Sequence, residues 1–145
     1  MKQELQSGDI IFTNRFLYRH YGIYAGQGRV IHYASQNGDF GNDACVRETS
    51  LKQFVRSGEC RIEKHDGSRN NAQQFSREET VSRARSRMGE KEYNLLFNNC
   101  EHFALWCKTG INKSAQVEKA VCAAVLLGAA TVTTALITVN SDENC

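Results

Sequence analysis

The sequence predicts an α+β domain, with an antiparallel sheet packed on helices, followed by a C-terminal transmembrane helix. Three observations support this prediction: β-type runs fill the first part of the chain, helical patterns follow, and an uncharged apolar run lies near the end. The 145 residues fit one domain, and a hydrophobic fraction of 41% is ample for a core. The net charge of +2 is too small and too dispersed to indicate a nucleic-acid partner.

The first strand is predicted at Asp9–Thr13, an apolar run behind a Ser-Gly pair. Tyr21–Ala25 and Arg29–Tyr33 flank the glycine-rich residues 26–28, and two such runs around a glycine turn predict a β-hairpin. Residues 45–49 and 60–64 predict two weaker strands, and residues 66–74 predict a polar loop.

The loop length decides where the hairpin places two histidines. A three-residue loop at 26–28 pairs Gly22 with His32, so that His20 and His32 share one face of the sheet within side-chain reach. A two-residue loop would put the two histidines on opposite faces.

The first helix is predicted from a capping box, Ser76 to Glu79, in which the serine oxygen and the glutamate side chain bond each other's backbone amides. Val81, Ala84 and Met88 share one face of this helix, and Gly89 is the predicted stop.

The second helix is predicted to begin at Asn99 or Cys100 and to end at Gly110. Its buried stripe follows helical spacing and consists of Cys100, Phe103, Ala104 and Cys107.

Residues 120–139 form the C-terminal apolar run, 20 residues without a charge, long enough to cross about 30 Å of hydrocarbon. A buried core helix is the alternative, although a chain of this size has little room to surround one. The predicted organisation is a domain at 1–112, a linker at 113–119, an anchor at 120–139 and a short tail at 140–145. Lys108, Lys113 and Lys119 precede the run, which favours a cytosolic domain with a single-pass anchor.

The six cysteines are expected to be free thiols. The N-terminus carries no apolar segment typical of a secretory signal, which favours the reducing cytosol. No Cys-x-x-Cys pair or finger-like histidine spacing occurs, so no metal site is expected.

Cys100 is a candidate nucleophile because a helix N-terminus favours the thiolate. Its position alone is also compatible with a small buried hydrophobic residue. His102 is a poor base for it, since residues two apart on a helix point away from each other, and a structural or solvent-facing role is expected. His65 lies in a polar stretch and is expected to be solvated, which leaves His20 and His32.

These residues also occur in motifs that resemble a known family. Leu17-Tyr-Arg-His20, Gly22-Ile-Tyr, Val30-Ile-His32 and Asn99-Cys-Glu-His-Phe103 resemble the histidine box and NCEHF box of the lecithin:retinol acyltransferase family. Within the family, the HRAS-like suppressor group of phospholipase A/acyltransferases is the most similar. The resemblance implies a circularly permuted papain-like (NlpC/P60) fold.

The resemblance also implies roles. Cys100 would be the nucleophile, His20 its general base, and His32 the group that orients His20; Tyr18 and Arg19 are matched positions that could line the site or help an oxyanion. The implied reaction forms an acyl thioester from a glycerophospholipid. Water then completes phospholipase A1/A2 hydrolysis, or phosphatidylethanolamine or a lysophospholipid completes N- or O-acyl transfer. No cofactor is implied.

Two other functions stay open: a thiol peptidase or amidase on the same fold, and a non-catalytic regulatory domain. The predicted anchor disfavours the first, and the presence of Cys100, His20 and His32 disfavours the second. The segment Tyr33-Ala-Ser35 departs from the family's pattern, and no retinol-specific insertion is apparent.

Overall fold

A computed structural model describes residues 3–64, 74–91 and 100–111. Within these ranges, five strands form one antiparallel sheet in the order β4-β3-β2-β1-β5, and three helices accompany it. The elements are β1 Ile10–Asn14, β2 Arg19–Gly26, β3 Arg29–Ala34, β4 Cys45–Ser50, α1 Leu51–Val55, β5 Arg61–Ile62, α2 Arg77–Ser86 and α3 Cys100–Thr109. The predicted α+β class is therefore confirmed.

The β2–β3 hairpin has the predicted register but reaches it differently. Ile23 pairs with Ile31, the register expected from Gly22 opposite His32. The turn itself is shorter, because Gly26 pairs with Arg29, and an irregularity between Tyr24 and Gly26 restores the register. A bulge adds one unpaired residue to a strand, so a two-residue turn plus a bulge has the same effect as a three-residue loop.

The sheet has two buried faces. One face packs on α2 and α3 and contributes alternate strand residues to the larger core, among them Tyr21, Ile23, Ile31 and Tyr33. The intervening residues, including Ile11 and Val30, pack with Phe54 of α1 on the other face. His20 and His32 belong to this second set by the strand period of two, and both are buried.

The predicted helix starts are confirmed where the structure describes them. Ser76 caps α2 with a complete capping box to Glu79. Cys100 is the first residue of α3, and all four residues of its predicted stripe are buried, together with His102 and Thr109. Met88 is a correction: it lies beyond the end of α2 and is 45% exposed, because the helix ends two residues earlier.

α1 was not predicted from the sequence. Ser50 caps it, and the Ser50 and Gln53 side chains form a second capping box with the backbone. The helix has only five residues, which is too short for hydrophobic periodicity to reveal it.

The expectation that all six cysteines are free thiols can be compared with the structure at four of them. Cys60, Cys100 and Cys107 are free thiols, whereas Cys45 is disulfide-bonded, so the expectation of free thiols is wrong for Cys45. Sequence spacing cannot show which sulfurs meet in three dimensions.

No helix among the described residues is long and apolar enough to cross a bilayer, and the predicted anchor at 120–139 lies outside those residues.

Candidate active site

Cys100 lies against the backbone of β2 on both sides of His20. Its thiol donates to the carbonyl of Arg19 across 3.7 Å, and the backbone amides of Tyr21 and Glu101 bond the sulfur. Burial raises the pKa of the thiol to about 12, and these two amides only partly oppose that rise. The resting sulfur is therefore a protonated thiol, and it needs a nearby base to become a nucleophile.

His20, which lies between Arg19 and Tyr21 on β2, forms a hydrogen-bonded pair with His32 of β3. Nε2 of His20 is 2.9 Å from Nδ1 of His32, and Nε2 of His32 is 2.8 Å from Oγ1 of Thr49. The Phe54 ring packs against both imidazoles, with centroid distances of 5.3 and 5.1 Å. α1 thus supplies an apolar wall that fixes the orientation of both rings.

The hydrogen bonds of His20, His32 and Thr49 determine which nitrogen of His20 carries the proton. The Thr49 hydroxyl donates to the carbonyl of Ser50 across 3.3 Å, so its oxygen accepts the proton on Nε2 of His32. Nδ1 of neutral His32 then accepts from Nε2–H of His20. This assignment follows from the hydrogen-bond network, and it leaves Nδ1 of His20 with the lone pair that a base requires.

Both imidazoles are neutral in the resting site. Burial lowers the pKa of His20 to about 4, against the opposing attraction of Asp39. Burial, followed by the proximity of His20, lowers the pKa of His32 well below 6.5. A neutral imidazole is the form of histidine that can accept a proton.

Asp39 joins this cluster and was not singled out from the sequence. It lies between β3 and β4 and is 6% exposed. Its Oδ2 accepts from Arg15 at 2.7 Å and from the Tyr18 hydroxyl at 2.5 Å, and its Oδ1 accepts from Arg56 at 3.0 Å. Burial acts to raise the pKa of this carboxyl, but hydrogen bonds from Arg15 and Tyr18 and the proximity of His20 hold it at about 2.

Tyr18 and Arg19, the two proposed lining residues, are placed differently. The Tyr18 ring stands edge-on to His20 with centroids 6.3 Å apart, so Tyr18 lines the site. The Arg19 side chain is 52% exposed, with its guanidinium over the Phe12 ring and 3.9 Å from Glu63. The part of Arg19 that meets Cys100 is its carbonyl.

The two remaining histidines are His102 and His65. His102 is buried in α3, which supports a structural role over a solvent-facing one. His65 lies outside the described residues. A groove of about 610 Å³, lined among others by Asp9, Glu63 and Arg77, contains no member of the histidine–cysteine cluster.

The sequence is similar to a family of known proteins over most of its length. The family model described as lecithin retinol acyltransferase matches residues 3–113. Mouse lecithin retinol acyltransferase is 30% identical over 134 residues, which cover 77% of this chain and 58% of that protein. Human phospholipase A and acyltransferase 2 is 32% identical over 142 residues, 86% of each chain. Human phospholipase A and acyltransferase 4 is 32% identical over 130 residues, 81% of this chain and 78% of that protein.

Proposed function

The chain belongs to the lecithin retinol acyltransferase family, and we propose that it is a phospholipase A/acyltransferase that forms an acyl thioester on Cys100. The observation that carries the proposal is the position of the Cys100 sulfur against the backbone around His20, whose imidazole is bonded to His32. Relatives named phospholipase A and acyltransferase support the same class of chemistry. The circularly permuted papain-like fold remains part of this proposal.

The first half of the reaction forms the thioester. Nδ1 of His20 takes the thiol proton, and the sulfur attacks the ester carbonyl of a glycerophospholipid. Because α3 begins at Cys100, the backbone amides at its N-terminus point toward the site and can donate to the oxyanion. The carbon–oxygen bond then breaks, and His20 returns its proton to the departing lysophospholipid oxygen.

The second half transfers the acyl group. Water, the amine of phosphatidylethanolamine or the hydroxyl of a lysophospholipid gives a proton to His20 and attacks the thioester. The products are a fatty acid, an N-acyl lipid or a new phospholipid, and Cys100 regains its proton from His20. Every proton thus passes through one imidazole, and the chemistry requires no cofactor.

A lipid substrate is supported by the apolar side chains next to the site. Phe16 and Leu17, in the turn between β1 and β2, are 97% and 86% exposed. Phe40, also exposed, contacts the Tyr18 ring, with centroids 5.2 Å apart. Exposed apolar residues beside a catalytic cluster suit contact with lipid tails or a bilayer surface more than with a polar peptide.

The tail belongs to the same proposal. Residues 120–139 would anchor the chain in a membrane, with the catalytic domain on the cytosolic face, and keep the site at the surface where phospholipids lie. In this arrangement the anchor raises the local substrate concentration and does not build the site.

The direct test incubates the full-length chain with phosphatidylcholine vesicles, with and without phosphatidylethanolamine, and identifies the products by mass spectrometry. We expect fatty acid and lysophospholipid, and N-acyl-phosphatidylethanolamine when the amine is present. Phe16→Ser with Leu17→Ser should reduce turnover on vesicles, whereas Met88→Ser, at an exposed apolar residue in the turn after α2, serves as the matched control. Cleavage of peptides without release of lipid products would favour the peptidase alternative.

A further inference from the structure

The carboxylate of Asp39 is the nearest described anionic group to the histidine pair. Its Oδ1 lies 3.5 Å from Nε2 of His20, on the nitrogen that also faces His32. The side chain is nearly fully buried, and three donors from two separate segments hold it in place: Arg15, Tyr18 and Arg56. A buried charge held this way costs desolvation energy, so its position next to one imidazole calls for an explanation.

We propose that Asp39 is a positioning residue that keeps the proton of neutral His20 on Nε2 and stabilises the imidazolium formed when Nδ1 accepts the Cys100 proton. The inference rests on the proposed function, in which His20 is the base. In the step concerned, the S–H bond of Cys100 breaks and an N–H bond forms at Nδ1 of His20. The products are a thiolate and an imidazolium.

His32 alone cannot provide a counter-charge for a protonated His20. His32 is neutral and contributes a lone pair to His20 but no charge. A carboxylate accepts hydrogen bonds and donates none, so its approach to Nε2 favours a proton on that nitrogen. When His20 becomes positive, Asp39 provides the counter-charge inside the buried site, as the third member of a triad does for its histidine.

Several charged or titratable groups act on His20, and they do so in different directions. Asp39 favours its charged form, whereas Arg15 and Arg56 oppose it. Asp39 also disfavours the Cys100 thiolate, but its effect on the pKa of that thiol is smaller than those of burial, the Tyr21 amide and Glu101. Among the described residues, His32, Tyr18 and Thr13 are further polar neighbours of His20. The net effect of Asp39 is therefore to promote proton transfer from Cys100 to His20.

The test measures the reactivity of Cys100 in the full-length chain without lipid. The rate of alkylation by iodoacetamide at pH 7, mapped to Cys100 by mass spectrometry, reports the thiolate–imidazolium population. Asp39→Asn removes the charge and should slow the reaction about tenfold or more, since an opposite charge at this range shifts a pKa by one unit or more. Arg56→Gln removes an opposing charge from a half-exposed side chain and should accelerate it.

Opposite changes of the alkylation rate in Asp39→Asn and Arg56→Gln distinguish an electrostatic effect on His20 from simple support of the fold. Arg56 and Asp39 bond each other, so loss of a merely structural contact would change the rate in the same direction in both variants. That result, or an unchanged rate in Asp39→Asn, would overturn the proposal. If Asp39→Asn does not fold, as judged by thermal melting, Arg56→Gln decides alone: an increase supports Asp39 as the counter-charge, and a decrease or no change refutes it. Absence of lipid products from the wild-type chain would instead refute the proposed function.

Discussion

His20 and His32 are joined by a 2.9 Å contact between Nε2 and Nδ1, with their rings 80° apart. This contact makes the two histidines chemically unequal. His20 takes part in this contact through Nε2 alone, whereas both nitrogens of His32 are engaged, one with His20 and the other with Thr49. Their substitutions should therefore have different consequences.

His20→Ala should nearly abolish acyl transfer, because it removes the proton acceptor, a loss of about 100- to 10,000-fold. His32→Asn should leave measurable activity, because the amide can still bond Nε2 of His20. The comparison uses kcat/KM on phosphatidylcholine, with thermal melting as the control for folding. Equal and complete loss in two folded variants would contradict the assigned roles.

Stability should fall as the pH is lowered from about 6.5 toward 4. Burial lowers the pKa of His20 from 6.5 to about 4, so between these values the unfolded chain binds a proton that the folded chain does not. The free energy of unfolding should thus decrease by about 1.4 kcal/mol per pH unit from this group. His32, whose pKa burial also lowers, acts in the same direction.

Urea denaturation at pH 7 and pH 5 measures this dependence. His20→Gln should reduce the pH dependence between the two values, because one of the two titrating histidines is gone. A slope unaffected by His20→Gln would mean that other groups dominate and that His20 is not buried in its neutral form.

Gly22→Ala should disturb the site without replacing any of the proposed catalytic residues. A Cβ at Gly22 would stand 2.7 Å from Val30, 3.0 Å from Phe54 and 3.2 Å from His32. Because Phe54 and His32 must both move, we expect a loss of about 1–3 kcal/mol in stability and a decrease in activity.

The matched control for this substitution is Gly28→Asn. Gly28 has a φ of +70° and open space around its Cβ position, and asparagine tolerates this backbone conformation better than other side chains. Equal effects of the two substitutions on thermal unfolding and turnover would show that close packing around Gly22 is not important.

Truncation after Asn112 should release the protein into the cytosolic fraction. Residues 120–139 are predicted to anchor it, and without them turnover on native membranes should fall more than turnover on detergent-dispersed lipid. Carbonate extraction followed by fractionation measures this. Retention of the truncated chain on membranes would contradict the anchor, and a soluble but unfolded product would favour a core helix.

Much of the site could be predicted because its members lie in motifs or regular elements. The β2–β3 register followed from apolar runs around glycines, although the turn residues could not indicate that a bulge replaces one loop residue. The sequence predicted a helix start at Asn99 or Cys100, and α3 begins at Cys100.

Asp39 and Phe54 could not be predicted, because their importance arises from tertiary contacts. Asp39 lies in a polar segment without periodicity, and its partners Arg15 and Arg56 are 24 and 17 residues away in sequence. An acidic residue a few positions after the His32 strand is too common a signal to single out. Phe54 belongs to a helix of one turn, whose apolar residues carry no recognisable period.

The central claim is that Cys100 carries the acyl group, and mass spectrometry of the enzyme itself tests it most directly. The full-length chain is incubated with phosphatidylcholine, quenched in acid and digested for peptide mapping. We predict a fatty-acyl mass on the peptide containing Cys100, sensitive to hydroxylamine as a thioester is. It should be absent from Cys100→Ser and retained in Cys60→Ser, the matched free-thiol control. An adduct on Cys60 or Cys107, or undiminished lipid turnover by Cys100→Ser, would contradict the account.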